Sequence, residues 1–357
     1  MALEFRRVDP FEMRERILEF FWRIRIWPYP TKEHYFRYWD WRARAVSEGA
    51  PAVWLACDGA TVVGHVAVNF RNLALKGHRL RAGIPAHLRM DAAYSGALGA
   101  ALCNAPRALV RNGEIDLLMS YANPVAHRMA VASGSRELGP MQFFVKVLLW
   151  APLLRRRAAA FAPFAPVADG AMRVWRLLRG SRNPERLAYL TAKPVTAEEV
   201  AGMSRTHWGL SGALNWDGSL EYFVGRFSLP EFHSDRVMAV SDLRTGRLEG
   251  LVAIQGESKR LSILQCAVNE SAISPIQAIE SVIAVHPDVE TVRVALLPNS
   301  DLAREFAGAG YLPLSARWTE EAIRDTCWSA YWLREHPLAK ALAQTHHWNL
   351  WYGWCHH

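Results

Sequence analysis

Hydrophobic positions in this chain fall into short strand-length runs and helical stripes, divided by turn residues. DLLMSYA (116–122) and TVRVALL (291–297) are mostly apolar without alternation, the pattern of a strand buried on both faces. Each run leads into an Asn, Asn123 or Asn299, then a short helical stripe closed by Gly134 or Gly310. The Asn side chain can cap that helix, and the glycine supplies the left-handed backbone that ends it. Both landmarks shift by the same 176 positions between copies. A fixed register of this kind marks a duplicated unit.

The stretches upstream repeat the plan. VWLACDGATVVGHVAV (53–68) predicts two strands joined at Asp58-Gly59, with Gly64 in the second. RVMAVSDLRTGRLEGLVAI (236–254) predicts the same, with a turn near Thr245-Gly246 and Gly250 matching Gly64. The first hairpin is followed by a strand over GIPAHLRMD (83–91) and a Gly/Ala-rich stretch, AAYSGALGAAL (92–102), that leads into a helix. Alternation along that strand sets Ala86, Leu88 and Met90 on one face and His87, Arg89 and Asp91 on the other. Before the hairpin, Asp9 and Pro10 predict the start of a helix with Phe11, Ile17, Phe20, Phe21 and Ile24 on its apolar face. It stops at Trp27-Pro28-Tyr29-Pro30, and Thr31 caps a second helix over 31–46.

This order of hairpin, strand, glycine loop, helix, strand, Asn, helix and Gly resembles the GNAT (Gcn-related N-acetyltransferase) superfamily. The resemblance covers 1–150 and 187–316. It implies an α+β fold of two GNAT-like units in tandem, each a mixed, mostly antiparallel sheet flanked by helices. A basic apolar connector (151–186) and a helical, Trp/His-rich tail (317–357) complete the chain. In this family a loop resembling R-G-x-G-I-G holds the pyrophosphate of coenzyme A on backbone N–H groups. Met90 to Gly99 occupies that place, so the resemblance assigns donor binding to Met90, Tyr94, Ser95, Gly96, Ala97 and Gly99, with Asn123 on the next strand. Gly96 and Gly99 are both expected on the loop, which is one residue short, and Ser95 stands where Arg or Gln is usual. The second copy, AVNESAISPIQAIESV (267–282), has no glycine, so the first half alone is expected to bind acyl-CoA. The family's thiolate-protonating Tyr, seven positions after the Asn, is replaced by Ala130 and Phe306, neither of which carries a proton to give. A base for the acceptor ammonium is sought on the polar strand face, in His87 and Asp91, with His65 on the neighbouring strand as a third candidate.

Composition adjusts the picture at the edges. The net charge of +8 suits an anionic partner such as CoA phosphates or acidic lipid. No nucleic-acid-binding signature is present, so nucleic acid is not an expected partner. Five scattered cysteines without C-x-x-C argue against a disulfide framework or zinc motif and for a reduced cytoplasm. Among the tail histidines, His346-His347 and His356-His357, neighbours cannot easily face one ion and no carboxylate lies nearby in sequence, so no metal is expected. The N-terminal stretch lacks the apolar core of a signal peptide, and no run is long enough for a transmembrane helix.

Seven of the fifteen Trp residues cluster in FFWRIRIWPYP, YFRYWDWR and HHWNLWYGWCHH. The connector is apolar with basic flanks, as in Arg155-Arg156-Arg157. Such patterns fit peripheral contact with an anionic inner-membrane surface of a bacterium, or a linker packed across both units. Together these features point to an acyl-CoA-dependent N-acyltransferase acting on the amine of an amphiphilic acceptor, with a long-chain sphingoid-type amino lipid as one candidate. A sugar-amine acetyltransferase of cell-surface polysaccharide assembly, an aminoacyl-tRNA-dependent Fem-type ligase and a non-catalytic acyl-ligand scaffold stay open as alternatives.

Overall fold

The structure is a computed structural model that describes residues 3–94, 96–149, 188–201, 212–227, 235–257, 259–314 and 326–351, with 167, 170 and 203 as isolated positions. The connector, apart from 167 and 170, and the tail segments 317–325 and 352–357 lie outside the described residues.

The chain opens on strand β1 (Leu3–Val8), which pairs antiparallel with β2 (Ala52–Asp58). Its six residues are mostly exposed, so it is an edge strand without the apolar pattern that would have revealed it. Helix α1 (Arg14–Arg23) begins later than Asp9-Pro10 predicted. Asp9 instead accepts from the Phe11 and Glu12 N–H groups at 2.7 and 3.2 Å, closing a separate turn ahead of the helix. Phe11 is left exposed, whereas Ile17, Leu18, Phe20 and Phe21 are fully buried. Helix α2 (Lys32–Ala45) starts where expected, with Thr31 accepting from the His34 N–H.

Strand β2 turns at Gly59 (φ 57°) into β3 (Thr61–Leu75), which runs through a second hairpin at Lys76-Gly77 into β4 (His78–Met90). Both turn residues have positive φ (49° and 78°), the primed geometry that suits twisted strands. Helices α3 (Ala97–Asn104) and α4 (Arg107–Arg111) lead to β5 (Leu117–Ala122), α5 (Pro124–Ala132), β6 (Arg136–Pro140) and β7 (Gln142–Val147). The second half supplies β8 (Leu190–Pro194), β9 (Asn215–Trp216), α6 (Leu220–Arg226), β10 (Asp235–Asp242), β11 (Leu248–Glu257) and β12 (Arg260–Val268). Then come α7 (Pro275–Ala284), β13 (Thr291–Leu296), α8 (Asp301–Gly308), β14 (Leu312–Pro313) and β15 (Cys327–Tyr331).

The two sheets have matching order. One runs β1-β2-β3-β4-β5-β15-β6, with β9 paired to β3; the other runs β8-β10-β11-β12-β13-β7-β14. In each, one parallel pair, β4 with β5 or β12 with β13, interrupts an otherwise antiparallel sheet. The duplicated unit read from the sequence is therefore present as two mixed α+β layers. Gly134 and Gly310 both end their helices with positive φ. Asn123 caps α5, accepting from the Val125 and Ala126 N–H groups. In the second copy the cap is Ser300 rather than Asn299, accepting from the Ala303 N–H at 3.1 Å.

Two strands trade places. β7 pairs with β13 and β14 of the second sheet, while β15 pairs with β5 and β6 of the first. Each exchanged strand sits between its host's fifth and sixth strands. Residues 142–147, N-terminal to the connector, thus belong to the sheet otherwise built from the second half. The main core cluster accordingly mixes Leu80, Leu117 and Met119 of the first half with Phe223, Val252 and Val294 of the second. Trp348, Leu350 and Trp351 of the tail are buried in the same core, and Trp348 forms a parallel bridge with Leu214.

Candidate active site

β4 and β5 are paired only at Ala82–Leu117 and Gly83–Leu118. Beyond that point they separate. The divergence has a local cause. On β4 the register slips between the pairs Ala67–Ala86 and His65–Arg89, so His87 and Leu88 together face a single residue of β3. This is a β-bulge, which bends the strand and leaves backbone groups outside the ladder. His87 takes a left-handed φ of 51°, uncommon for a residue with a side chain.

A cavity of about 240 Å³ opens beside the bulge. It is lined by β4 from Pro85 to Arg89, by β5 from Ser120 to Ala122, by the turn between α3 and α4, and by Ala126, Met129 and Ala130 of α5. Among the described residues no carboxylate lines it, and two guanidiniums do, Arg89 and Arg107. Arg107 is buried and held by the last turn of α5: it donates to the carbonyls of Ala130 and Ser133 and to Ser135 Oγ. Burial lowers its pKa. Arg89 donates to the Leu88 carbonyl at 2.9 Å, and burial likewise lowers its pKa.

The expected division of the β4 faces holds from His87 to Met90 but not at Ala86, which the bulge turns to the face of Ala67, opposite Leu88 and Met90. Leu88 and Met90 pack with the cluster containing Leu102 and Leu109, under α3 and α4. On the other face, the His87 ring meets Phe21 and Trp27 edge-on at 5.6 and 5.3 Å. His65 is buried behind it, its Nδ1 2.9 Å from the His87 carbonyl oxygen. A carbonyl only accepts, so Nδ1 of neutral His65 carries the proton and Nε2 is its open acceptor. Burial pushes the His65 pKa down to about 4. That of His87 lies well below the ordinary value through burial, with Arg42, His65 and Arg89 adding to the effect. Both imidazoles are therefore neutral at pH 7.

Of the three proposed bases, His87 lines the cavity, His65 supports it from behind, and Asp91 does neither. Asp91 lies 3.6 Å from Arg23 and accepts from the Ala93 N–H.

Among the expected donor-binding residues Asn123 lines the cavity. Met90 packs under Gly99, where a Cβ would lie 2.6 Å from the Met90 methyl. Gly99 belongs to the first turn of α3 rather than to the loop, because the helix begins sooner than the glycine spacing suggested. Tyr94 donates to Asp58 Oδ2 at 2.6 Å, pinning the loop to the first hairpin. Gly96 is the N-cap of α3 with φ 91° and offers no side-chain cap, so the first N–H groups of that helix stay open. Ala97 opens α3, and Ser95 lies outside the described residues.

The corresponding helix of the second half, α7, is closed. Ser274 and Gln277 form a capping box at its N-terminus, at 3.2 and 2.9 Å. The parallel pairing of β12 with β13 also runs further, over four residue pairs.

Sequence reasoning overlooked Arg107, Cys103, Asn104, Ser120 and Tyr121 in the cavity wall. Ser120-Tyr121 carried a usable signal, as polar residues at the end of an apolar strand. Arg107 carried none. The β5 wall is backed by the exchanged strand, with Ser329 Oγ 2.8 Å from Ser120 Oγ and Trp328 against Tyr121. Tyr331 lies over Arg107 at 5.0 Å. In the tail, the fold brings Asp301 to His347 at 2.5 Å, a carboxylate that is distant in sequence.

No protein-family model and no curated protein matches the chain. Solved structures do resemble it. A conserved Enterococcus faecalis V583 protein of unknown function, described as a probable N-acyltransferase, superposes with TM-score 0.59 at 10% identity, over 97% of this chain and 74% of its own. A GCN5-related N-acetyltransferase from Anabaena variabilis gives 0.53 at 13% identity, over 92% and 72%. The Saccharomyces cerevisiae N-myristoyltransferase with bound myristoyl-CoA gives 0.50 at 10% identity, over 94% and 80%. At these identities the likeness establishes a shared fold, that of GNAT proteins, extended over a two-unit chain.

Proposed function

We propose that this protein transfers an acyl group from a CoA thioester to the amine of an amphiphilic acceptor, using the first half as its only donor site. Two observations carry this reading: the cleft where β4 and β5 part, lined by the far end of α3, and the α3 N-terminus, whose N-cap Gly96 has no side chain to close it. Open helical N–H groups favour a diphosphate. A cavity with two guanidiniums and no lining carboxylate favours an anionic ligand. The capping box on α7 removes the same opportunity from the second half.

In this reading the thioester carbonyl lies against the β4 bulge, where backbone N–H groups freed from the ladder stabilise the oxyanion. His87, neutral and at the cavity wall, takes the proton from the acceptor ammonium directly or through one water. His65 holds the His87 backbone in its left-handed turn and acts as a positioning residue. Ala130 and Phe306 leave no family-type acid, and CoA thiolate leaves without one, since a thiol pKa near about 8.5 makes it an adequate leaving group. The acceptor approaches from the α1–α2 side, where partly exposed Trp27 and Tyr29 pack over the buried rings of Tyr35 and Tyr38. The exposed parts of Trp27 and Tyr29 support an acceptor with an apolar body, and a long-chain sphingoid-type amino lipid fits that description.

Purified protein supplied with acyl-CoA donors of graded chain length and a long-chain amine tests the proposal, with amide formation read by mass spectrometry. Amide is expected with long-chain donors. Preference for acetyl-CoA over all longer donors would remove the lipid part, and no product with any donor would favour the non-catalytic scaffold.

A further inference from the structure

A second cluster of reactive side chains lies where the exchanged strand enters the first sheet. His127 of α5, Glu137 of β6 and Cys327 of β15 place an imidazole nitrogen, a carboxylate oxygen and a thiol sulfur all within 4.8 Å of one another. The three come from elements far apart in sequence, and β15 brings its cysteine between β5 and β6.

The imidazole is the anomalous member. His127 is 8% exposed, and neither of its ring nitrogens has a hydrogen-bond partner. A neutral imidazole carries one donor and one acceptor, and burying both unpaired is costly. Its Nε2 lies 3.6 Å from Glu137 Oε1. That is too long for a hydrogen bond, but close to the separation of about 3.5 Å between two donors on one tetrahedral ion of zinc size. The Cys327 thiol is a free thiol, partly buried. The Glu137 side chain is 60% exposed, which leaves an entry path and room for the carboxylate to close.

We propose that His127, Glu137 and Cys327 bind one divalent cation of the zinc class. Mixed nitrogen, sulfur and oxygen donors select a borderline ion over magnesium or calcium, and a water completes the tetrahedron. Binding replaces the Cys327 S–H bond with a sulfur–metal bond and releases one proton to solvent. Because Cys327 lies on β15, the ion staples the exchanged strand to α5 and β6. The site lies outside the donor cavity and does not depend on the acyltransferase reading.

Cobalt(II) titrated into the full chain, stripped beforehand with a chelator, is the direct test. The expected result is saturation at one equivalent with a near-ultraviolet thiolate-to-cobalt band, displaced by zinc. Cys327→Ser should abolish the band, and His127→Ala should weaken binding by at least about 10-fold, the loss typical of groups that merely support a ligand. Zinc should raise the thermal midpoint of the native chain but not that of Cys327→Ser, whose midpoint without metal reports whether the variant folds. Absence of a thiolate band overturns the proposal. So does a band that survives Cys327→Ser and vanishes on Cys355→Ser, which would put the ion in the C-terminal tail.

Discussion

His87 and His65 differ in what their rings reach, and that difference separates their roles. His87 borders the cavity while His65 contacts only protein. His87→Ala should lower turnover about 100-fold or more while leaving CoA affinity near normal, the signature of a lost transition-state interaction. Asp91→Asn should be mild, because Asp91 is engaged with Arg23 and lies off the cavity lining. With both imidazole pKa values below 6.5, any histidine-dependent loss of rate belongs on the acid side of that value. A rise above neutrality would follow the acceptor's ammonium. The same depression affects stability. Unfolded His65 takes up a proton below about 6.5 and the folded ring resists until about 4, so stability falls as pH drops through that window, by on the order of 3 kcal/mol. Asp235, raised to about 6 by burial, acts with opposite sign over a similar range, so the test is differential. Chemical denaturation at pH 7 and pH 4 should show native protein losing ground to His65→Gln on acidification; equal losses would contradict the assignment. At Gly96, φ 91° is a conformation that side chains resist. Gly96→Val should cost about 1–3 kcal/mol and impair donor binding, measured by calorimetric titration with CoA.

The strand exchange turns two repeats into one folding unit. β15 joins β5 to β6 in the first sheet, and β7 joins β13 to β14 in the second. Fragments 1–150 and 187–357 should therefore be poorly soluble when expressed separately and should co-purify when expressed together. Two fragments that each fold as monomers would contradict the pairing. The repeat itself was legible because Gly134, Gly310 and the hairpin turns impose backbone requirements that a sequence displays. The exchange was not legible. β7 and β15 are short, and their choice between two similar sheets is decided by tertiary packing. The bulge at His87 was not legible either: strict alternation grouped Ala86 with Leu88 and Met90, whereas the one-residue slip turns Ala86 to the face of Ala67. Helix starts slipped for two reasons: Asp9 closes a separate turn ahead of α1, and at α8 two capping residue types stand side by side, so only geometry selects Ser300 over Asn299. The His127–Glu137–Cys327 cluster had no motif to find, because its third member arrives on the exchanged strand.

Across the whole molecule the halves share a topology but differ in what they leave open. The first has a splayed parallel pair, a side cavity and an α3 whose N-cap is Gly96, with no side chain. The second has longer parallel pairing and a self-capped α7. It supports the first through β15, and through contacts at α2, where Trp41 Nε1 donates to the Gly225 carbonyl and Tyr222 to that of Val46. No described helix is long and apolar enough to cross a membrane. Division of labour between a donor-binding half and a supporting half is the central claim, and donor stoichiometry tests it most directly. Calorimetric titration of the native chain with CoA should give one site. Ala126→Trp, which fills the cavity wall, should abolish binding, and Ser274→Ala, which opens the α7 cap, should leave it unchanged. Two sites per chain, or binding lost with Ser274→Ala and kept with Ala126→Trp, would place the donor elsewhere and contradict the claim.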